Sequence, residues 1–122
     1  MIKEVHHISM VVSDTERSRQ FYRDILGLEE VPRNPIIPFP GAWFQVGTRH
    51  IHLLEVHNQD PTERVGPGPE DRHIALLVDS VQDLMNHLTD KGCKFVYRER
   101  ANAVFIRDPD GNAIEFVQSD WQ

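Results

Sequence analysis

One short phrase is written twice in this chain. Residues 5–14 read VHHISMVVSD and residues 71–80 read DRHIALLVDS, so a histidine, a run of apolar and small residues, and an acidic or hydroxyl residue able to start a helix recur 66 positions apart. A fixed internal period marks a duplicated supersecondary unit. A chain of 122 residues holds two such units within the size of one domain.

Each copy can be followed onward. VHHISMVV, rich in branched and apolar residues, predicts a strand. Ser13 with Glu16 fits a capping box, Phe21, Tyr22, Ile25 and Leu26 recur at helical spacing, and Gly27 stands where a helix-ending glycine belongs. LEEVPR predicts a second strand stopped by Pro32. RNPIIPFPGA (33–42) is a proline-rich loop, and WFQVG with HIHLLEV makes a hairpin around Gly47-Thr48-Arg49. The polar, Pro/Gly-rich residues 57–72 read as a linker. The second copy then gives HIALLVDS, a helix capped by Ser80 that carries Val81, Leu84, Met85 and Leu88 and ends at Gly92, and the strands KFVYRE, AVFIRD and NAIEFVQ, with Asp108-Pro109-Asp110-Gly111 as the last turn. The prediction is a single α+β domain over 1–122 made of two tandem βαβββ modules, 1–56 and 73–122, joined by the linker.

Superposing the copies pairs His7 with His73, Gly27 with Gly92, and IHL (51–53) with IEF (114–116), so that His52 matches Glu115. Side chains alternate faces along a strand. His7 therefore shares a face with Ser9 and Val11, His73 with Ala75 and Leu77, His52 with His50 and Leu54, and Glu115 with Ala113 and Val117. If a pseudo-twofold axis relates the modules, His7, His52, His73 and Glu115 converge from four strands. Three imidazoles and a carboxylate suit a divalent transition metal such as Zn, Ni, Mn, Fe or Co. Each residue also has a plainer reading as a packed or solvated side chain. The repeat argues against it for His7 and His73, and the cost of an unpaired carboxylate between Ile114 and Phe116 argues against it for Glu115. Glu55 competes with His52 as a donor, but alternation turns it to the opposite face. His6 reads as structural, and His50, His57 and His87 as edge, linker and helix residues. Phe39 and Trp43 can line an apolar substrate wall or pack in the core. Arg33, Arg98 and Arg100 can meet a substrate anion or lie solvated.

A formal charge of −6 argues against nucleic acid and anionic membrane as partners. No segment is apolar for long enough to suggest a membrane span. With Cys93 alone there is no disulfide framework, and cytoplasmic residence is the expectation.

The stretches HHISMVVSDTERSRQFYRDILGLE (6–29), HIHLLE (50–55), RHIALLVDS (72–80) and IRDPDGNAIEFVQ (106–118) together resemble the vicinal oxygen chelate superfamily, with DPDGNAIEF the most specific piece. This family includes glyoxalase I, fosfomycin-resistance thiol transferases, extradiol dioxygenases and bleomycin-sequestering proteins. The resemblance implies βαβββ modules curling as mixed sheet around a metal-binding cleft, a homodimer, and the ligands His7, His52, His73 and Glu115. It further implies a metal-dependent lyase or isomerase acting on a small oxygenated substrate or its adduct with glutathione or another thiol. There Glu115 is the mobile base and an enediolate is stabilised by the metal. Ring-cleaving dioxygenase, thiol transferase and non-catalytic binding module stand as alternatives on the same fold.

Overall fold

The computed structural model describes residues 1–61, 63–64, 66 and 68–118. The chain divides into two compact units, Met1–Thr62 and Glu63–Gln122.

Unit 1 runs β1 (His7–Val12), α1 (Thr15–Arg19), a π-helical turn (Gln20–Ile25), β2 (Glu29–Val31), β3 (Gly41–Val46) and β4 (Arg49–Glu55). Its sheet has the order β1-β4-β3-β2, with β1 parallel to β4 and the other pairs antiparallel. One face is apolar and closed. Met10, Val12, Phe44, Ile51 and Leu53 are buried there with Phe21 and Tyr22 of the helical segment. Tyr22 stacks near Phe44 at 5.9 Å and donates its hydroxyl proton to Met10 Sδ at 3.0 Å. Glu55 lies on this side, accepting from the Thr15 amide at 2.7 Å and its hydroxyl at 3.0 Å, so it is turned away from His52 as alternation requires.

Two details of the helix differ from the sequence reading. The cap is Asp14, whose carboxylate accepts from the Arg17 amide, rather than Ser13. Both residue types cap well, and spacing alone does not separate neighbours. The apolar spacing at 21–26 also forms a wide turn rather than α-helix, with Leu26 N–H donating to the Phe21 carbonyl five residues back at 2.9 Å. Gly27 then ends the segment at φ +74°, a conformation that suits glycine.

Unit 2 runs β5 (His73–Val78), α2 (Val81–Asp90), β6 (Val96–Arg98), a 3₁₀ turn (Glu99–Ala101), β7 (Ala103–Arg107) and β8 (Ala113–Gln118). The order β5-β8-β7-β6 repeats that of unit 1, again with the first and last strands parallel. Ser80 caps α2 as predicted, accepting from the Asp83 amide at 3.1 Å. Val81 and Leu88 are buried with Val104, Ile106, Ile114 and Phe116. Strands β2 and β6 are each three residues long, shorter than the runs LEEVPR and KFVYRE suggested. Among the described residues no helix is long and apolar enough to cross a membrane.

Candidate functional site

The turn between β7 and β8 shows why DPDGN precedes the Glu115 strand. Asp108 is buried, and its Oδ1 accepts from the amides of Asp110 (2.9 Å) and Asn112 (2.8 Å), while Oδ2 accepts from the Asn112 side chain at 2.8 Å. This fixes the register that sets Phe105 opposite Glu115 across β7 and β8, and on the other side of β8 the parallel ladder sets Ala75 of β5 beside Glu115. Unit 1 repeats the register, with Trp43 opposite His52 and Ser9 beside it. In each unit the second candidate ligand thus stands beside the residue two positions beyond the first. The correspondences His7 with His73 and His52 with Glu115 are features of the hydrogen-bonded ladders as well as of the lettering.

Within unit 1, His7 and His52 stack with ring centroids 4.1 Å apart, and the Trp43 indole covers His52 at 3.9 Å, nearly parallel at 4°. His52 is only 7% exposed. Burial first, then the neighbouring His7, His50 and His6, push its pKa down from 6.5 to about 4, so near neutral pH the ring is uncharged and carries a lone pair. His6 is exposed and meets His7 through the two Nδ1 atoms at 2.9 Å. Within unit 2, His73 Nε2 lies 3.0 Å from Glu115 Oε1, its Nδ1 lies 2.9 Å from the Asp71 carbonyl oxygen, and Phe105 meets the ring edge-on at 5.5 Å.

The four residues therefore appear as two intimate pairs, one in each unit. Among the described residues no group of three or more His, Cys, Asp or Glu side chains is arranged to hold a metal ion. Of the expected substrate contacts, Trp43 stacks on His52, and Phe39 is half-buried in the loop before β3. Arg98 and Arg100 are exposed at the end of β6 and in the 3₁₀ turn. Arg33 serves its own loop, donating to the Phe39 carbonyl.

Sequence reasoning passed over three participants. His50, read as an edge residue, is half-buried and joined to the cluster. The signal was its position two residues before His52. Phe105 could have been placed by counting back through the Asp108 turn. Asp71 acts through its backbone carbonyl, which no side-chain pattern reveals. Unit 2 also contains an open pocket of about 320 Å³, lined principally by Cys93, Phe95, Val96, Phe105, Ile106 and Arg107. Burial pushes the Cys93 thiol pKa upward, which favours the unreactive thiol. Phe105 belongs both to this pocket and to the surroundings of His73.

The sequence profile of the Glyoxalase/Bleomycin resistance protein/Dioxygenase superfamily matches residues 4–116. The chain is 32% identical to lactoylglutathione lyase of Neisseria meningitidis over 92% of its own length and 88% of the relative's. It is 31% identical to the uncharacterised protein YaeR of Escherichia coli, covering 96% of this chain and 97% of that protein. A crystal structure of a glyoxalase-family protein from Bacillus anthracis superposes with a TM-score of 0.81 at 26% identity, covering 97% of this chain and 96% of the other. The repeated ladder, the paired histidine and acid positions and these likenesses agree: the chain belongs to the glyoxalase/bleomycin resistance protein/dioxygenase superfamily.

Proposed function

We infer that this protein is a divalent-metal-dependent lyase or isomerase of glyoxalase type, with His7 and His52 of unit 1 and His73 and Glu115 of unit 2 as metal ligands. The observation that carries this reading is the environment of His73. A carbonyl oxygen can only accept, so the Asp71 contact places a proton on Nδ1. In a neutral ring Nε2 is then a bare lone pair, and it faces a carboxylate oxygen at 3.0 Å. Two acceptors at that distance are satisfied by a positive charge between them, either a second ring proton that makes an ion pair or a cation that both ligate, and the donor types of the four residues favour the cation. The backbone carbonyl behind Nδ1 is also the usual outer-shell support of a metal-bound histidine. The donor set fits a borderline divalent cation, since His52 is held uncharged and three imidazoles with one carboxylate match its preferences. The name of the Neisseria relative supports the reaction class.

When bound, the cation would supply positive charge beside a substrate oxygen and so acidify the adjoining C–H. The remaining work falls to the chain. Trp43 holds the His52 ring flat beneath it, and Asp71 fixes the His73 tautomer. Glu115, whose side chain is 17% exposed, has one oxygen against His73. Its carboxylate takes the proton from one substrate carbon, leaving the electron pair in the oxygen-bearing π system, and delivers it to the neighbouring carbon. The net change is an isomerisation that needs no external oxidant.

The test compares wild type with Glu115→Gln on the methylglyoxal–glutathione hemithioacetal and on simpler 2-oxo aldehydes. Turnover in the variant is expected to fall by at least about 10²-fold, the usual worth of a positioned general base, with the circular dichroism spectrum unchanged. A variant that turns over at the wild-type rate would remove Glu115 from the chemistry.

A further inference from the structure

His50 stands beside the proposed ligand His52 without a role in the four-ligand site, and a chain of fixed protons leads to it. Gln45 Nε2 donates to the Gly47 carbonyl at 2.6 Å, which orients the amide so that its Oε1 faces His50. His50 Nε2 lies 3.1 Å from that Oε1 and must therefore carry the ring proton. In the neutral ring Nδ1 is then a lone pair; His52 Nε2 faces it across 3.4 Å, as a donor when the His52 proton sits on Nε2 and as a second lone pair when it sits on Nδ1. That separation is long for a hydrogen bond. It is close to the roughly 3.3 Å between two nitrogens that each stand about 2.0–2.1 Å from a tetrahedral zinc.

Strand geometry supplies the rest. His50 and His52 are two apart on β4 and share a face, and the ladder sets Gln45 opposite His50 and Trp43 opposite His52. Each histidine thus has a cross-strand partner on β3 that fixes its ring, by a hydrogen bond in one case and by stacking at 3.9 Å in the other. The arrangement is not a by-product of the repeat, because unit 2 carries Ala113 where unit 1 carries His50.

We propose that His50 Nδ1 and His52 Nε2 form a two-imidazole chelate for a borderline first-row divalent cation such as Ni²⁺ or Zn²⁺, with Gln45 as the positioning residue that exposes the His50 lone pair. The chelate deepens the first-unit half of the metal reading, with which it shares His52, yet it requires neither His73 nor Glu115. A strand His-x-His pair is complete within one unit. It therefore gives unit 1 its own foothold for the ion.

The experiment uses the full chain with His73→Ala and Glu115→Gln, which removes the proposed unit 2 ligands, titrated calorimetrically with NiCl₂ and with ZnCl₂. One equivalent is expected to bind still, and adding His50→Ala is expected to abolish it while the thermal midpoint and circular dichroism stay those of a folded protein. Gln45→Leu in the same background should weaken binding by about 10- to 100-fold, the usual effect of removing a ligand's outer-shell partner. It should also turn the His50 ring-nitrogen resonances from a single Nε2–H tautomer into a mixture, a change that mere packing loss would not produce. A double variant that binds neither ion, or binds equally with and without His50, overturns the chelate. Retention of wild-type affinity in the double variant would instead overturn the four-ligand reading and leave the chelate standing.

Discussion

His52 is the residue whose chemistry depends most on its surroundings. The unfolded chain protonates this imidazole near 6.5, the folded chain only near 4. Between those values the unfolded state binds more protons, so lowering the pH through this window favours unfolding. The metal-free protein should lose stability as pH falls from about 6.5 toward 4, and His52→Gln should flatten that part of the curve. Urea unfolding at pH 7, 6, 5 and 4 with wild type and variant side by side reads this directly, and parallel curves would contradict it. Gly41 is constrained for another reason. It opens β3, and a Cβ there would overlap the carbonyl oxygen of Leu53 on the neighbouring strand and press on the Arg33 guanidinium. Backbone cannot step aside cheaply, so Gly41→Ala should cost about 1–3 kcal/mol, the usual range for overpacking, read as a lower urea midpoint.

Among the elements, α1 offers the clearest test of what sequence spacing can and cannot decide. Asp14→Ala removes the acceptor for the Arg17 amide and should cost about 1 kcal/mol in thermal or urea unfolding. Ser13→Ala removes an exposed contact with the Arg17 guanidinium and should cost less than half of that. If the order were reversed, the capping box would be the better description after all. The first strand of each unit was legible because alternation is coarse: less and more buried residues alternate along β1 and β5, and a period of two survives small errors at the ends. The cap was misjudged because Ser13 and Asp14 have nearly equal capping chemistry. The π-helical turn was missed because the spacing of Phe21, Tyr22, Ile25 and Leu26 says which side is apolar, not how many residues each turn takes. At the site, His7, His52, His73 and Glu115 could be singled out because the repeat paired them. The repeat does not mark His50, which has no counterpart in the second copy and is signalled only by its spacing from His52, and it cannot mark the Asp71 carbonyl, which is backbone. Arg98 and Arg100 illustrate the limit from the opposite side: charge in a sequence does not say what it faces.

For the molecule as a whole, the segment entering unit 2 is tied down by one carboxylate. Asp71 Oδ2 accepts from Arg64 at 2.7 Å and from Arg107 at 2.9 Å, and Arg107 also donates to the carbonyls of Gly66 and Gly111. These partners, Arg107 foremost, hold the Asp71 carboxyl near 2, well below its ordinary range, so the tie persists under all but strongly acidic conditions. Asp71→Asn should speed tryptic cleavage after Arg64 several-fold under native conditions, with little change after arginines in α1. Equal cleavage rates would show that the tie has no bearing on how this segment opens. Because the Asp71 carbonyl also orients His73, the same variant shows whether restraint of the segment reaches the site. His73 ring-nitrogen resonances that stay those of a single Nδ1–H tautomer would place that restraint in the backbone alone.

The parallel pairing of β1 with β4 carries a consequence in time. All partners of the first sheet lie between His7 and Glu55. A ribosome working N-terminus first at about 5–20 residues per second therefore delivers every strand of that sheet several seconds before the last residue of the chain is made. The residues that stack there, His7, Trp43 and His52, are all in the chain before the codons for His73 and Glu115 are read.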